Sequence, residues 1–383
     1  MRESPSAAAR SDLGGILAEL EALLPEAAPV IRPMRTQWRE QLVRVVVLGE
    51  AKRGKSSLVN ALLGRPILPT GVVPVTSVST EVTAGDVDEV TVRFTAGGTS
   101  AVPLESLGDY VAEDRNRGNH KGVASVTVRV AGTPWPPSVV FVDTPGTGAV
   151  ETGHEETART SLRTMDVSLL VLTSDPPISA RERALLAEAN ERSAATLVVL
   201  AKADLLAPPD LDTVVGYTAE VVADALGGAL EVVAVSTLGD SPTTHPGIRR
   251  VADAVLEVAA RSAERTLHRS LSRRIRELVD GELAEIDLGL ALLGASTAEA
   301  DRRAVALMRA LAEIRDRARV SADLVEAGIR RLDAELDAGA KAEVRRLAGV
   351  LVAQAMHSPS SEDEAVAVAG LVRTATEYAE SWR

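Results

Sequence analysis

The segment Gly49-Glu-Ala-Lys-Arg-Gly-Lys55-Ser56-Ser57 holds the residues best spaced for chemistry. Its pattern is GxxxxGK[ST], that of a phosphate-binding loop. Gly49 and Gly54 free the backbone to wrap an anion. The Lys55 ammonium is a point charge that fits between two phosphates, which a planar guanidinium does not. The chain carries 42 Lys plus Arg, yet only Lys52, Lys55, Lys121, Lys202 and Lys341 are lysines, and two of the five fall where a nucleotide site needs one. Stepping outward, Leu42–Leu48 (LVRVVVL) reads as a buried parallel strand. SSLVNALLG opens with helix-capping residues and continues with helical apolar spacing. Strand, loop and helix together aim backbone N–H groups and a helix N-terminus at a phosphate.

Other residues narrow the nucleotide. Val139-Val-Phe-Val-Asp143-Thr-Pro-Gly146 is a strand ending in DxxG. Asp143 suits the shell of a magnesium ion, usually through water, and the Gly146 N–H suits the γ-phosphate. Thr196–Leu200 leads into Ala201-Lys202-Ala-Asp204, a form of [NT]KxD whose polar first residue is replaced by Ala201. Asp204 would accept two hydrogen bonds from a guanine edge, each worth about 1.5–3 kcal/mol, while the Lys202 stem lies along the base. The missing side chain at 201 costs about 1 kcal/mol of local tethering. In Val235-Ser236-Thr237, Ser236 is placed for a backbone contact to the guanine oxygen. Between loop and DxxG, the stretch 68–80 (LPTGVVPVTSVST) must supply a hydroxyl to the magnesium opposite Ser56. Thr76 is the choice, with Thr80 and Ser77 as alternatives. Lys202 and Asp204 favour GTP over ATP.

Composition excludes several classes. The chain has no cysteine, hence no disulfide and no thiolate metal site, which suits a reducing compartment. The N-terminal MRESPSAAARSDLGG has no apolar run of the signal-peptide kind, and no stretch is long and apolar enough to span a membrane. A cytoplasmic location is expected, with any membrane contact peripheral at the inner face of the cell membrane. The net charge of −12 argues against binding nucleic acid through the overall field.

Periodicity divides the chain into three regions, expected at 1–40, 41–250 and 251–383. Residues 11–32 read as an amphipathic helix with Leu13, Ile16, Leu17, Leu20, Leu23 and Leu24 on one face, kinked or ended at Pro25. The middle region is α/β. Strands are expected at 42–48, 79–84, 90–94, 125–130, 139–142, 167–173, 196–201 and 231–235, with helices at 180–192 and 213–226. That is a mostly parallel sheet with helices on both faces. Beyond 250 the pattern is all helical: 251–291, 297–338 and 340–356, a linker at 357–364 and a last helix at 365–382. Leu311, Ala318, Val325 and Leu332 recur every seven residues, better read as a bundle helix than a coiled coil.

GEAKRGKSSLVNALLG, LPTGVVPVTSVSTEV, DTPGTG and SDPPISARERALL, in this order over residues 41–240, resemble bacterial members of the dynamin superfamily. The separation of Lys55 from Asp143 is wider than in a small Ras-like GTPase, as in an enlarged dynamin-type domain. The resemblance implies a P-loop GTPase domain plus a helical neck or partial stalk, with GTP hydrolysis using Mg2+. Lys55 and Ser56 would hold phosphates and metal, Thr76 would be the switch threonine, Asp143 and Gly146 the γ-phosphate sensor, and Lys202 and Asp204 the base readers. It further implies pairing across the nucleotide face, with a second copy or a related dynamin-like protein, and membrane remodelling by the helical part. The chain departs from animal dynamins at Ala51 and Lys52, where those carry a Gln-Ser pair that orients water and neutralises charge; Lys52 is the candidate for the missing charge. The alternative is a regulatory GTPase whose helical region docks a protein rather than lipid.

Smaller features are read as structural. Arg261, Arg265, Arg269, Arg273 and Arg276 form a basic stripe, expected to be salt-bridged to Glu19, Glu21 and Glu277 rather than lipid-facing. Leu288–Gly294 (LGLALLG) is read as core rather than a lipid-binding tip. His154 is read as a solvated loop residue. Helix 11–32 is expected to pack on the 251–291 helix as a neck.

Overall fold

The computed structural model describes residues 5–71, 78–145, 162–175, 178–238, 245–261, 263–293 and 305–320, with 323, 327 and 330. Two compact units divide the chain: Arg10–Arg319, and Met1–Ala9 with Val320–Arg383.

Nine strands form one sheet: β1 (Val43–Leu48), β2 (Thr80–Ala84), β3 (Glu89–Phe94), β4 (Thr99–Val102), β5 (Val123–Val130), β6 (Val139–Asp143), β7 (Val167–Leu172), β8 (Ala195–Leu200) and β9 (Val232–Ala234). Their spatial order is β4-β3-β5-β2-β6-β1-β7-β8-β9. From β6 through β9 neighbouring strands are parallel. β2 runs antiparallel to β6 and parallel to β5, and β3 is antiparallel to both β4 and β5. The mostly parallel sheet read from the sequence is thus present, with a mixed half added.

Alternation along the strands builds two cores. Val45 and Val47 face one layer with Leu58, Val59 and Leu62 of α3 (Lys55–Leu63), together with Phe141 and Ile248. Val46 and Leu48 face the other with Leu170, Leu172, Val198, Leu200, Leu186 and Val222. Successive side chains on opposite faces explain why the central strands are apolar at nearly every position. Trp135 locks β6 to α3: its Nε1 donates to Leu62 O at 2.7 Å and its ring stands edge-on to Phe141, 4.7 Å between centroids.

A third core is helical. α1 (Pro5–Leu23) and α2 (Ala28–Glu40) are joined by a 3-10 turn, Pro25–Ala27. Leu13, Ile16, Leu17, Leu20, Leu24, Ile31, Met34 and Trp38 pack on Leu267, Leu271, Ile275 and Val279, and on Leu311, Ile314 and Ala318. So the N-terminal helices do pack on the helix holding the arginine stripe. The expected helix end at 32 is wrong. Pro33 lies inside α2, and burial of Met34, Gln37 and Trp38 carries the helix on to Glu40.

Other boundaries also differ. A short α4 (Gly108–Val111) follows β4. α5 (Ala180–Arg192) falls where expected, whereas α6 (Pro208–Leu226) begins earlier than read, because a proline is at home in a helix's first turn. The expected 251–291 helix starts earlier, at Pro246, and its described residues are helical as α7 (Pro246–Arg261) and α8 (Ala263–Leu293), with residue 262 outside the described residues. Gly247 lets α7 start against β9, since a Cβ there would meet Ala234 O at 2.0 Å. Of the expected helix 297–338, residues 305–320 are described and helical.

The arginine stripe is only partly paired as expected. Arg273 lies 3.7 Å from Glu277, which also meets Arg192 at 3.4 Å. Glu21 instead pairs with Arg32 and Arg35, and Glu19 with Arg317. These partners sit on helices adjacent to α1, which the linear reading could not place. Arg274, off the stripe, is buried.

Candidate functional site

β1 lies between β6 and β7, and the chain leaves its carboxyl end through the phosphate loop into α3. The helices that follow β1 and β7 pack on opposite faces of the sheet, α3 in the layer of Val45 and Val47 and α5 in that of Val46 and Leu48. The carboxyl end of β1 is thus the switch point where doubly wound sheets take ligands.

The loop's shape depends on its glycines. Gly49 has φ 139° and a Cβ there would strike Val171 O at 2.4 Å, so the loop can pass β7 only as glycine. Gly54, φ 95°, caps the N-terminus of α3. Lys55 is buried, its Nζ donating to Gly49 O at 3.1 Å and Glu50 O at 2.9 Å. Burial pushes this ammonium below its ordinary pKa, while Asp143, Glu182 and Glu50 pull the other way. Lys52 sits at φ 65° with an exposed side chain.

Ser56 and Asp143 meet although far apart in sequence: Ser56 Oγ donates to Asp143 Oδ2 at 2.7 Å. Asp143 ends β6, is 1% exposed, and is paired in register with Val47 on one side and Thr80 on the other. A carboxylate beside a hydroxyl is the hard-oxygen donor set that suits Mg2+, which keeps waters and phosphate oxygens rather than an all-protein cage. Ser57 follows, partly exposed, in the first turn of α3. Thr144 Oγ1 donates to Val47 O at 2.7 Å, fixing the start of the DxxG turn. Thr80, one alternative to Thr76, is fully buried in β2, with its hydroxyl 3.4 Å from Val78 O. Thr76, Ser77, Gly146 and His154 lie outside the described residues, and so do the side chains of Leu288–Leu293.

A second cluster stands at the end of β8. Lys202 adopts φ 60°, and its Nζ donates to Lys52 O at 2.9 Å, so its stem crosses the rim of the phosphate loop. Ala201 is buried, and its Cβ is 3.7 Å from where a Cβ on Gly54 would stand. Asp204 is exposed and accepts a 2.6 Å hydrogen bond on Oδ1 from Ser236 Oγ. Ser236 Oγ in turn accepts from Leu238 N at 3.2 Å. The side chain of Ser236 thus orients the acid; the sequence offered only a backbone role for it.

Sequence reasoning also passed over Arg53, Glu50, Ser179 and Glu182. Arg53 precedes Gly54 and is buried, with Nε and Nη2 each 2.9 Å from the two oxygens of Glu182. Glu182 is the third residue of α5 and closes a capping box with Ser179. The Ser-x-x-Glu spacing at 179–182 was a legible signal for that box.

Phosphate loop, carboxylate–hydroxyl pair and acid–lysine pair at one switch point define a nucleotide-binding domain of the GTPase class. Residues 45–203 match the Dynamin family model. The chain is 34% identical over 180 residues to a protein from the xynA 3' region of Caldicellulosiruptor sp. (strain Rt8B.4), covering 47% of this chain and 45% of that one. It is 30% identical over 179 residues to Dynamin-like protein 2 of Campylobacter jejuni, covering 47% of this chain and 29% of the relative. These matches span less than half of either relative's length. A solved chain from an oligomerised bacterial dynamin pair, described as sensing and tethering membranes, superposes with a TM-score of 0.51 at 16% identity, over 85% of this chain and 50% of that one, and so shares its fold.

Proposed function

We propose that this chain binds GTP with Mg2+ and hydrolyses it to GDP and phosphate. The observation that supports this reading is that Lys55, the Ser56–Asp143 pair and the Lys202–Asp204–Ser236 group gather around the phosphate loop at the end of β1. Lys55 would neutralise the β- and γ-phosphates. Asp204, held by Ser236, would accept from the guanine edge, and Lys202 would close the base side against the loop. Ser56 and Asp143, with Thr76, would hold the metal, which supplies charge neutralisation on the transferring phosphoryl group. Gly146 would sense the γ-phosphate.

In the same proposal the active unit is a pair of such domains meeting across the nucleotide face. The helical region carries the motion to a peripheral membrane contact. The oligomeric, membrane-tethering description of the structural relative supports this part. Among the described residues no helix is long and apolar enough to cross a membrane. The test is GTP turnover against protein concentration, with and without anionic liposomes and with Mg2+ withdrawn. Specific activity should rise with concentration and vanish without the metal. Turnover independent of concentration, with no dimer in sedimentation, would favour the regulatory switch that docks a protein partner.

A further inference from the structure

The least expected group at the site is an arginine inside the phosphate loop that points into the protein. An arginine in such a loop is well placed to contact phosphate directly, yet the Arg53 side chain is only 7% exposed. Its fork is fully engaged on Glu182, which is 0% exposed. Its other terminal nitrogen reaches Thr173 Oγ1, just past the end of β7, and Asp175 O at 3.4 Å. Glu50, at the opposite end of the loop, lies 3.5 Å from Nη2. The Glu50 carboxylate also accepts from Ser179 Oγ at 2.9 Å, and Ser179 Oγ caps the Glu182 N–H at 3.1 Å.

The loop is therefore pinned at both ends to the segment between β7 and α5. The pin leads to the reactive end of the site. Glu50, whose side chain joins the network, offers its backbone carbonyl to Lys55 Nζ. Arg53 is two residues before Lys55, on the peptide that enters the left-handed Gly54. A bidentate guanidinium–carboxylate pair fixes orientation as well as distance, which a lysine cannot reproduce.

We propose that Arg53 and Glu182 are a positioning pair. They hold the phosphate loop in the shape that presents Lys55 and the backbone N–H groups to the nucleotide, without touching the nucleotide themselves. This rests on the GTP-binding reading above.

The experiment measures affinity and release rate of a fluorescent GDP, alongside thermal melting, for the wild type, Arg53→Lys, Arg53→Met and the double variant Arg53→Met with Glu182→Gln. Arg53→Lys keeps the charge and loses the fork. It should melt close to the wild type yet release GDP about tenfold faster, the scale of one lost charge-assisted contact. Arg53→Met strands a buried carboxylate and should melt early. The double variant removes that stranded charge, so melting should recover while fast release persists. Release within twofold of wild type in both Arg53→Lys and the double variant would overturn the proposal. So would recovery of melting and release together, since that is the signature of a merely structural pair. Loss of cooperative melting in both would also count against it, because the pair would then hold the fold rather than the loop. A wild type that does not bind GDP would instead overturn the GTP-binding reading.

Discussion

Asp204 and Ser236 are joined by a 2.6 Å hydrogen bond that leaves one carboxylate oxygen of Asp204 tied to the strand-end loop after β9. The acid that would read the base is thus oriented by a residue 32 positions away. Ser236→Ala should weaken GDP binding by about 1 kcal/mol, the worth of one hydrogen bond in an otherwise intact site. Asp204→Asn should lose GDP and gain xanthosine diphosphate, because the donor and acceptor pattern of the base is then complemented. Calorimetry with both nucleotides checks the pair. Equal wild-type affinity for ADP and GDP would remove the guanine assignment.

Lys55 is held by two carbonyls of its own loop, so its ammonium is already fixed within the loop proposed to bind phosphate. Lys55→Ala should weaken GTP binding by about 2–5 kcal/mol, as expected when one partner of a desolvated charge pair is truncated. Ser56→Ala should raise the Mg2+ concentration needed for half-maximal turnover while leaving the fold unchanged. Mg2+ titration of GTP hydrolysis reads the second effect; an unchanged Mg2+ midpoint would take Ser56 out of the metal site.

Arg65, just past α3, grips Asp88 in the β2–β3 turn with both terminal nitrogens, at 2.8 and 2.7 Å, and Ala131 N–H donates to the same carboxylate at 2.8 Å. The Arg65 hydrogen bonds first, then that of Ala131, hold the Asp88 carboxyl down at about 2, below its ordinary 3.8. The folded value is depressed, so the pair's contribution is complete above the ordinary value. It fades as pH falls from about 3.8 through about 2. The melting gap between wild type and Asp88→Asn should therefore be open at pH 6 and nearly closed at pH 2. An equal gap at both would show that the contact carries no stability.

What the sequence made legible follows from what burial does to composition. β1, β6, β7 and β8 lie mid-sheet, covered on both faces, and so read as continuous apolar runs. β4, Thr99–Val102, sits at the sheet edge with every residue at least partly exposed, and four such residues carry no periodic signal. The phosphate loop and DxxG strand were legible because their chemistry demands fixed types at fixed spacing. Arg53 was not, since its meaning lies in Glu182, 129 residues on. Likewise nothing local marks Arg274 among its arginine neighbours; only topology shows which of them turns inward.

That inward turn places Arg274 in a buried network at the amino end of β7, the opposite end of the sheet from the phosphate loop. Its guanidinium donates to Gln37 Oε1 at 2.7 Å, to Asp166 Oδ1 at 3.0 Å and to Thr164 O. Asp166 Oδ2 accepts from Gln37 Nε2 at 2.6 Å and from the Arg44 N–H at 2.8 Å. Helices α2 and α8 are thereby tied to the starts of β1 and β7. Burial pushes the Arg274 guanidinium down to about 10, against the pull of Asp166, so the site is dry enough for a broken pair to be costly. Arg274→Met should destabilise by about 3–5 kcal/mol, because Asp166 is left buried and uncompensated. Adding Asp166→Asn should recover part of that loss. GDP affinity below the melting range should stay within about twofold of wild type, since the network does not touch the loop and distant sites add independently. Charge reversal on the stripe, Arg265→Glu with Arg269→Glu, separates a docking face from this anchor. If the stripe packs rather than binds lipid, the reversal lowers thermal stability. Salt-sensitive liposome binding, abolished by the reversal at unchanged stability, would instead assign the stripe to the membrane.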